Sequence, residues 1–306
     1  MSPTVRSYAA ILVTAVAVAA LSVPGGPDAT VSAQTREMRE RAVWVSVIDQ
    51  KGKPVDDLEP DEFIIREDGR RREAIRVQKA TEPIDLTLMV DTSAAMERHM
   101  QSARLALKEL VTALNPHASI ALVTFGERPT IQVDRTNTLA AIARGVDRLF
   151  SIDTAGAYML EAVLEVASGL RKRQPARPVI AVVVTDGVEF TDQSADFVLV
   201  RLAETGARFD VFNVNQGSAA EMPDQPARER ARLIAEGTSR SGGTRAELLT
   251  DMALQKVLAD YATELLNQTR VVYVRPDSLI PPVRIEVSVT RPGLTVRSTP
   301  VPQPRG

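Results

Sequence analysis

Asp91, Ser93 and Asp186 are the side chains of this chain placed where oxygen chemistry can be done. Asp91 opens the segment Asp91-Thr92-Ser93-Ala94-Ala95, directly after the apolar run Ile84–Val90. Asp186 ends a second such run, Val182-Val183-Val184-Thr185-Asp186-Gly187. An acidic residue followed by small polar positions just past a buried strand suits a cation-holding loop at the carboxyl edge of an α/β sheet, because hard divalent cations take oxygen ligands. Ala95 stands where a further hydroxyl would help. The same residues also serve a purely structural purpose: a carboxylate at a strand end can accept backbone N–H groups and cap the following helix. Asp186 can do likewise, with Ser93 tying the loops together.

Catalytic constellations are poorly supported. A phosphoryl-accepting Asp91 would need a second aspartate two residues on as acid–base partner, and position 93 is serine. The only histidines are His99 and His117, both in polar contexts and expected to be solvated, so no serine–histidine pairing is in view. Ser241-Gly242-Gly243-Thr244 is a glycine turn after a helix and lacks the strand-then-lysine context of a phosphate loop. The expectation is a chain that is not an enzyme.

The elements that must position these residues follow from periodicity. Strands are expected at 84–90, 120–125, 179–185 and 209–214, each a short apolar run buried on both faces. Residues 130–133 suit an edge strand after a hairpin. Ala103, Leu107, Leu110, Val111 and Leu114 form one helical stripe, and Leu160, Val163, Leu164, Ala167 and Leu170 another. Further helices are expected at 138–150, 194–205, 227–239 and 252–267. This alternation predicts an α/β fold, a mainly parallel, doubly wound sheet with helices on both faces. Strand patterns flank it. Val43, Val45 and Val47 alternate with Trp44 and Ser46, and residues 63–66 and 74–77 lie either side of the hairpin signal Asp68-Gly69. After the α/β region, 271–275, 285–290 and 294–298 alternate again, with Pro292-Gly293 as a turn. Neither β region is large enough for a core of its own, so the two are expected to pack as one small β-sandwich with the α/β domain inserted between them. The expected organisation is a signal peptide over 1–33, a β segment over 36–82, the α/β domain over 83–268, and strands with a flexible tail over 269–306.

Composition bounds the partners. A formal net charge of −2 argues against nucleic acid, and the basic runs Arg70-Arg71-Arg72 and Arg171-Lys172-Arg173 suit a solvated turn and a helix end. With no cysteine, disulfides and thiolate metal sites are excluded. Arg6, the apolar stretch from Ala9 to Val23 and Val31-Ser32-Ala33 before Gln34 resemble an export signal, shorter than a spanning helix needs. The expected location is therefore periplasmic or secreted, with membrane contact only if that segment stays uncleaved.

The middle region resembles a von Willebrand factor type A domain. Asp91-Thr92-Ser93-Ala94-Ala95 is similar to that family's Asp-x-Ser-x-Ser loop, Gly156-Ala157-Tyr158-Met159-Leu160-Glu161-Ala162 to its loop-helix stretch, and Thr185-Asp186-Gly187 to its Thr-Asp-Gly strand end. Val55-Asp56-Asp57-Leu58, Asp61-Glu62-Phe63 and Glu67-Asp68-Gly69 are similar to the β segment preceding this domain in a group of exported bacterial proteins, and 285–299 to that group's closing strands. The resemblance implies a metal-ion-dependent adhesion site for Mg²⁺ or Mn²⁺, with Asp91, Ser93 and Asp186 as surviving metal residues. Ala95 replaces its second serine and Ala157 its threonine, so the site is expected to be degenerate. Thr92, Asp153, Thr154 and Glu161 stand nearby as further oxygens, and Gly156 and Gly187 complete the ligand-binding loops. The implied function is non-catalytic binding of a protein or extracellular polymer at the carboxyl edge of the sheet. The alternative is a scaffold or membrane-anchored interaction subunit with an unused site.

Overall fold

The computed structural model describes residues 38–214, 223–276, 282 and 284–299. The expected signal peptide and the last seven residues lie outside these. The described chain opens with β1 (Met38–Ile48), β2 (Phe63–Glu67), β3 (Arg70–Arg72) and β4 (Ala74–Lys79). The tight turn falls at Asp68 and Gly69, both with positive φ, where glycine carries no steric penalty. The partner of β2 across this turn is β3, however, not residues 74–77 as expected. The chain changes sheets at Glu73, and β4 pairs elsewhere.

The α/β region follows: β5 (Ile84–Val90), α1 (Met100–Leu114), β6 (Ala118–Thr124), β7 (Thr130–Thr136), α2 (Leu139–Asp147), α3 (Met159–Arg173), β8 (Pro178–Thr185), α4 (Ala195–Ala203), β9 (Arg208–Val214), α5 (Gln225–Ser241), β10 (Arg245–Leu248) and α6 (Met252–Leu266). Its sheet has the order β10-β9-β8-β5-β6-β7. All neighbours are parallel except β7, which runs antiparallel to β6 on one edge. The helices α1, α2 and α6 bury one face of the sheet, and α3, α4 and α5 the other. Strands buried on both sides favour apolar residues on both faces; β8 is apolar nearly throughout and β5 and β6 over most of their length, while β9 interleaves Phe209, Val211, Phe212 and Val214 with Arg208, Asp210 and Asn213. Helix ends follow local chemistry. Asp224 accepts the Ala227 N–H to start α5, and Gly242 at positive φ ends it. A Cβ at Gly243 would lie 1.8 Å from the Phe209 carbonyl oxygen, so glycine lets the chain pass tightly against β9. Arg171, Lys172 and Arg173 form the basic last turn of α3, as expected.

Three strands close the chain: β11 (Thr269–Pro276), β12 (Ile285–Val289) and β13 (Thr295–Ser298). They join the first four in two antiparallel sheets, β13-β1-β11-β4 and β12-β2-β3. Val43, Val45, Phe63, Ile65, Val271 and Tyr273 share one apolar core between these sheets. The expected β-sandwich therefore draws its strands from both sides of the α/β region.

One strand was not foreseen and one local expectation is corrected. The 245–248 segment is a strand, though its Arg-Ala-Glu-Leu pattern carries little strand signal. His99 is 4% exposed rather than solvated: it ends a 3₁₀ turn leading into α1, with Nδ1 3.9 Å from Oδ2 of Asp251 at the start of α6. His117 is exposed, as its sequence context implies.

Candidate binding site at the carboxyl edge of the sheet

Strand order reverses between β5 and β8, since β6 lies on one side of β5 and β8 on the other. The crevice outside the carboxyl ends of such a pair is the customary ligand position in open α/β sheets. Asp91 leaves β5 and Asp186 leaves β8 there.

Asp91 is fully buried, and its carboxylate is occupied. Oδ1 accepts the Ser93 N–H at 2.8 Å, while Oδ2 accepts the Thr185 N–H at 3.1 Å and the Thr185 hydroxyl at 2.5 Å. The carboxylate thus ties the two strand ends together. It makes a tight turn with Ser93 rather than capping α1. Thr92 Oγ1 accepts the Gly126 N–H at 3.0 Å, and its carbonyl accepts the Ile152 N–H at 2.9 Å. Ser93 Oγ is buried without a hydrogen-bond partner.

The loop before α3 joins the same cluster. Ala94 N–H donates to the Ala155 carbonyl at 3.0 Å. Ala157 donates to the Val188 carbonyl at 2.7 Å and accepts from the Phe190 N–H at 2.8 Å, so the loop is stitched to the one after β8. A Cβ on Gly187 would come within 2.7 Å of the Ala95 methyl and 3.2 Å of Ser93 Oγ, and one on Gly156 would strike the Phe190 ring at 2.3 Å. Close packing of three loops explains both glycines.

Asp186 is exposed and does not cap a helix. It accepts from Asn213 Nδ2 at 2.9 Å, and the same amide donates to Glu247 at 2.8 Å. Glu161 accepts from the Thr191 hydroxyl at 2.7 Å and the Asp192 N–H at 3.3 Å, binding α3 to the loop after β8. Asp153 and Thr154 are exposed on the loop before α3. The structure thus brings Asp91, Thr92, Ser93, Ala95, Gly156, Ala157 and Gly187 together, with Asp186 at the rim toward β9.

These residues fall short of a cation cage. Ser93 Oγ is a buried oxygen left to coordinate, but Ala95 and Ala157 present methyl groups, the Asp91 oxygens are engaged, and Asp186 is held by Asn213. No three His, Asp or Glu side chains among the described residues come together as a metal cluster. A full set of protein oxygens of the kind hard cations favour is not assembled.

Sequence reasoning missed Glu189. It is buried beneath the loop, accepting the Met159 N–H at 2.8 Å and lying 3.6 Å from Arg230 Nη1. Arg230 also donates to the Gly187 carbonyl at 2.7 Å. Burial pushes the Glu189 carboxyl up to about 8, against the opposing pull of Arg230 and the Met159 N–H. Its only sequence signal is an acidic residue three positions after Asp186. Phe150, Val188 and Phe190 are also exposed at this edge, at 65%, 58% and 50%.

The fold is thus an open α/β sheet with three loops gathered at its switch point, the position where such sheets hold a ligand when they bind one. Residues 86–189 match the family model described as von Willebrand factor type A domain. That stretch, β5 through the loop after β8, is what is similar to the family. No curated protein matches the chain. Solved structures similar to it include BatB from Bacteroides thetaiotaomicron (15% identity, 60% of this chain and 98% of that one, TM-score 0.46). A von Willebrand factor type A structure from Catenulispora acidiphila is 13% identical over 85% of this chain and 71% of that one, with TM-score 0.48. Proximal thread matrix protein 1 from the mussel byssus, with a zinc-occupied MIDAS motif, is 16% identical over 69% of this chain and 50% of that one, with TM-score 0.50. Among the described residues no helix is long and apolar enough to cross a membrane.

Proposed function

We propose that this chain is an exported, non-catalytic binding module whose type A domain contacts a protein or extracellular polymer at the carboxyl edge of its sheet, with metal dependence weakened or lost. The carrying observation is the convergence of three loops at the β5–β8 crevice, where Asp91 serves as a tie and two ligand positions are methyl groups. Exposed Phe150, Val188 and Phe190 at the same edge favour a protein partner, since apolar anchors supply contact energy without a cation. The export-like first residues support a periplasmic or secreted location.

Thermal melting with Mg²⁺ or Mn²⁺ tests the metal half, because a ligand selective for the native state raises the melting temperature. The wild type is expected to show no shift at millimolar cation, and Ala95→Ser/Ala157→Thr a cation-dependent rise. A rise of several degrees in the wild type overturns the weakened site. Capture on the immobilised chain from an extract of the source cells tests the binding half. Capture is expected to survive chelator and to be lost in Val188→Glu. Capture abolished by chelator, or indifferent to Val188→Glu, counts against this face.

A further inference from the structure

A small polar pocket beside the Asp91 loop has a use of its own. Its volume is about 180 Å³, below the ~300 Å³ of a drug-sized site. The β6–β7 hairpin forms one wall and the segment after α2 the other, with Thr92 between them. Arg128 and Arg148 both line it, and neither makes an ion pair or hydrogen bond through its side chain to another described residue. Thr92 Oγ1 accepts the Gly126 N–H, and Thr124 Oγ1 accepts Gln132 Nε2 at 3.1 Å, so both hydroxyl hydrogens remain to be donated inward. Leu149, Phe150 and Ile152 supply an apolar side. Arg104 donates to the Leu149 carbonyl through Nε at 2.8 Å and fixes that wall.

Two unpaired guanidinium groups, two free hydroxyl donors and an apolar flank match an anionic group on a short aliphatic stem. Glu127 also lines the pocket, so two arginines against one glutamate leave one net positive charge. That balance suits a carboxylate better than a dianionic phosphate. We propose that this pocket takes the carboxylate of an acidic side chain from the protein partner, held by Arg128 and Arg148 with Thr92 and Thr124 as hydroxyl donors. The proposal rests on the reading of this edge as the binding face, and it assigns recognition of the partner's charge to arginine.

The test titrates the full chain with acetyl-Gly-Glu-Gly-amide, with acetyl-Gly-Gly-Gly carrying a free chain end, and with inorganic phosphate. Arginine Nε–Hε NMR shifts supply the readout. Saturable shifts of the Arg128 and Arg148 signals by the glutamate peptide in the millimolar range are expected. Binding should weaken on the order of ten-fold in Arg128→Gln/Arg148→Gln. It should stay within a few-fold in Arg128→Lys/Arg148→Lys, which keeps the charge, and should not change in Arg144→Gln. No saturable shift in the wild type, equal binding by the glutamine double variant, or tighter binding of the chain-end peptide or phosphate overturns the assignment. If Val188→Glu abolishes partner capture while the wild type shows no probe binding, the binding face stands and this pocket fails.

Discussion

Glu189 is the side chain in the candidate site whose charge state is set most strongly by its surroundings. It is buried, one carboxylate oxygen holds the Met159 N–H, and the other has no hydrogen-bond partner. Burial raises its titration to about 8 from an ordinary 4.5, Glu161 and Asp91 add to the rise, and Arg230 opposes it. The folded state therefore binds this proton more tightly than the unfolded state. Its stabilising contribution is complete below pH 4.5 and declines as pH rises to about 8, where the folded carboxyl also ionises. Glu189→Gln removes that titration. Urea midpoints measured from pH 5 to pH 9 should fall less steeply in Glu189→Gln than in the wild type, with a gap on the order of a few kcal/mol developing by the alkaline end. Parallel profiles would mean that Arg230 keeps Glu189 ionised throughout. The sequence offered little warning of this residue or of Arg128 and Arg148, because their roles come from burial and pocket shape. Asp91, Ser93 and Gly187 were legible because they follow strands whose apolar runs announce themselves.

At the level of elements, β9 is the hinge of the polar interior. Arg208 is fully buried and donates through Nε to Asp210 at 2.8 and 3.0 Å. Its Nη1 reaches Ser46 of β1 at 3.0 Å and Glu264 of α6 at 2.7 Å, and its Nη2 reaches Thr244 at 3.1 Å. The Tyr261 hydroxyl donates to Asp210 at 2.8 Å. Burial alone would lower the Arg208 titration, but Asp210 and Glu264 together hold it above its ordinary range. Arg208→Met should cost about 3–5 kcal/mol, because it strands buried carboxylates. Part of that loss should return in Arg208→Met/Asp210→Asn, read as a double-mutant cycle in denaturant. Additive single losses would show that the pair is not coupled. None of this network stood out in the sequence, where Arg208 and Asp210 look like interruptions at the start of a strand. Short edge strands were equally quiet. β10 is Arg-Ala-Glu-Leu and β3 is Arg-Arg-Arg, so neither carries an apolar run. Sheet choice was hidden too, since the 74–79 segment has a strand pattern whichever sheet it joins.

Across the whole molecule, the question is whether the sandwich and the α/β region melt as one. β1 pairs antiparallel with β11 from Met38 opposite Pro276 to Val45 opposite Thr269, so the sandwich closes only after the α/β chain has been traversed. The junction is buried and polar. Arg177 donates to Gln268 Oε1 at 3.1 Å through Nε, and Gln268 Nε2 donates to Ser46 Oγ at 3.0 Å. Burial lowers the Arg177 titration to about 10, although Glu82 opposes the drop. Arg297 of β13 also reaches Glu264 of α6 at 2.9 Å. A junction of this kind couples two regions, because opening it exposes partnered charges on both sides at once. Trp44 is the only tryptophan and lies on β1, with Nε1 donating to Glu82 at 3.3 Å. Its fluorescence therefore reports the sandwich, while far-ultraviolet circular dichroism is weighted toward the helices of the α/β region. Coincident midpoints in urea are expected from the two probes. Ser46→Ala, which removes the hydroxyl shared by Arg208 and Gln268, should lower both midpoints together. A fluorescence transition that precedes the loss of helix would mean that the sandwich is an appendage able to detach, and that the 83–268 segment keeps its fold without it.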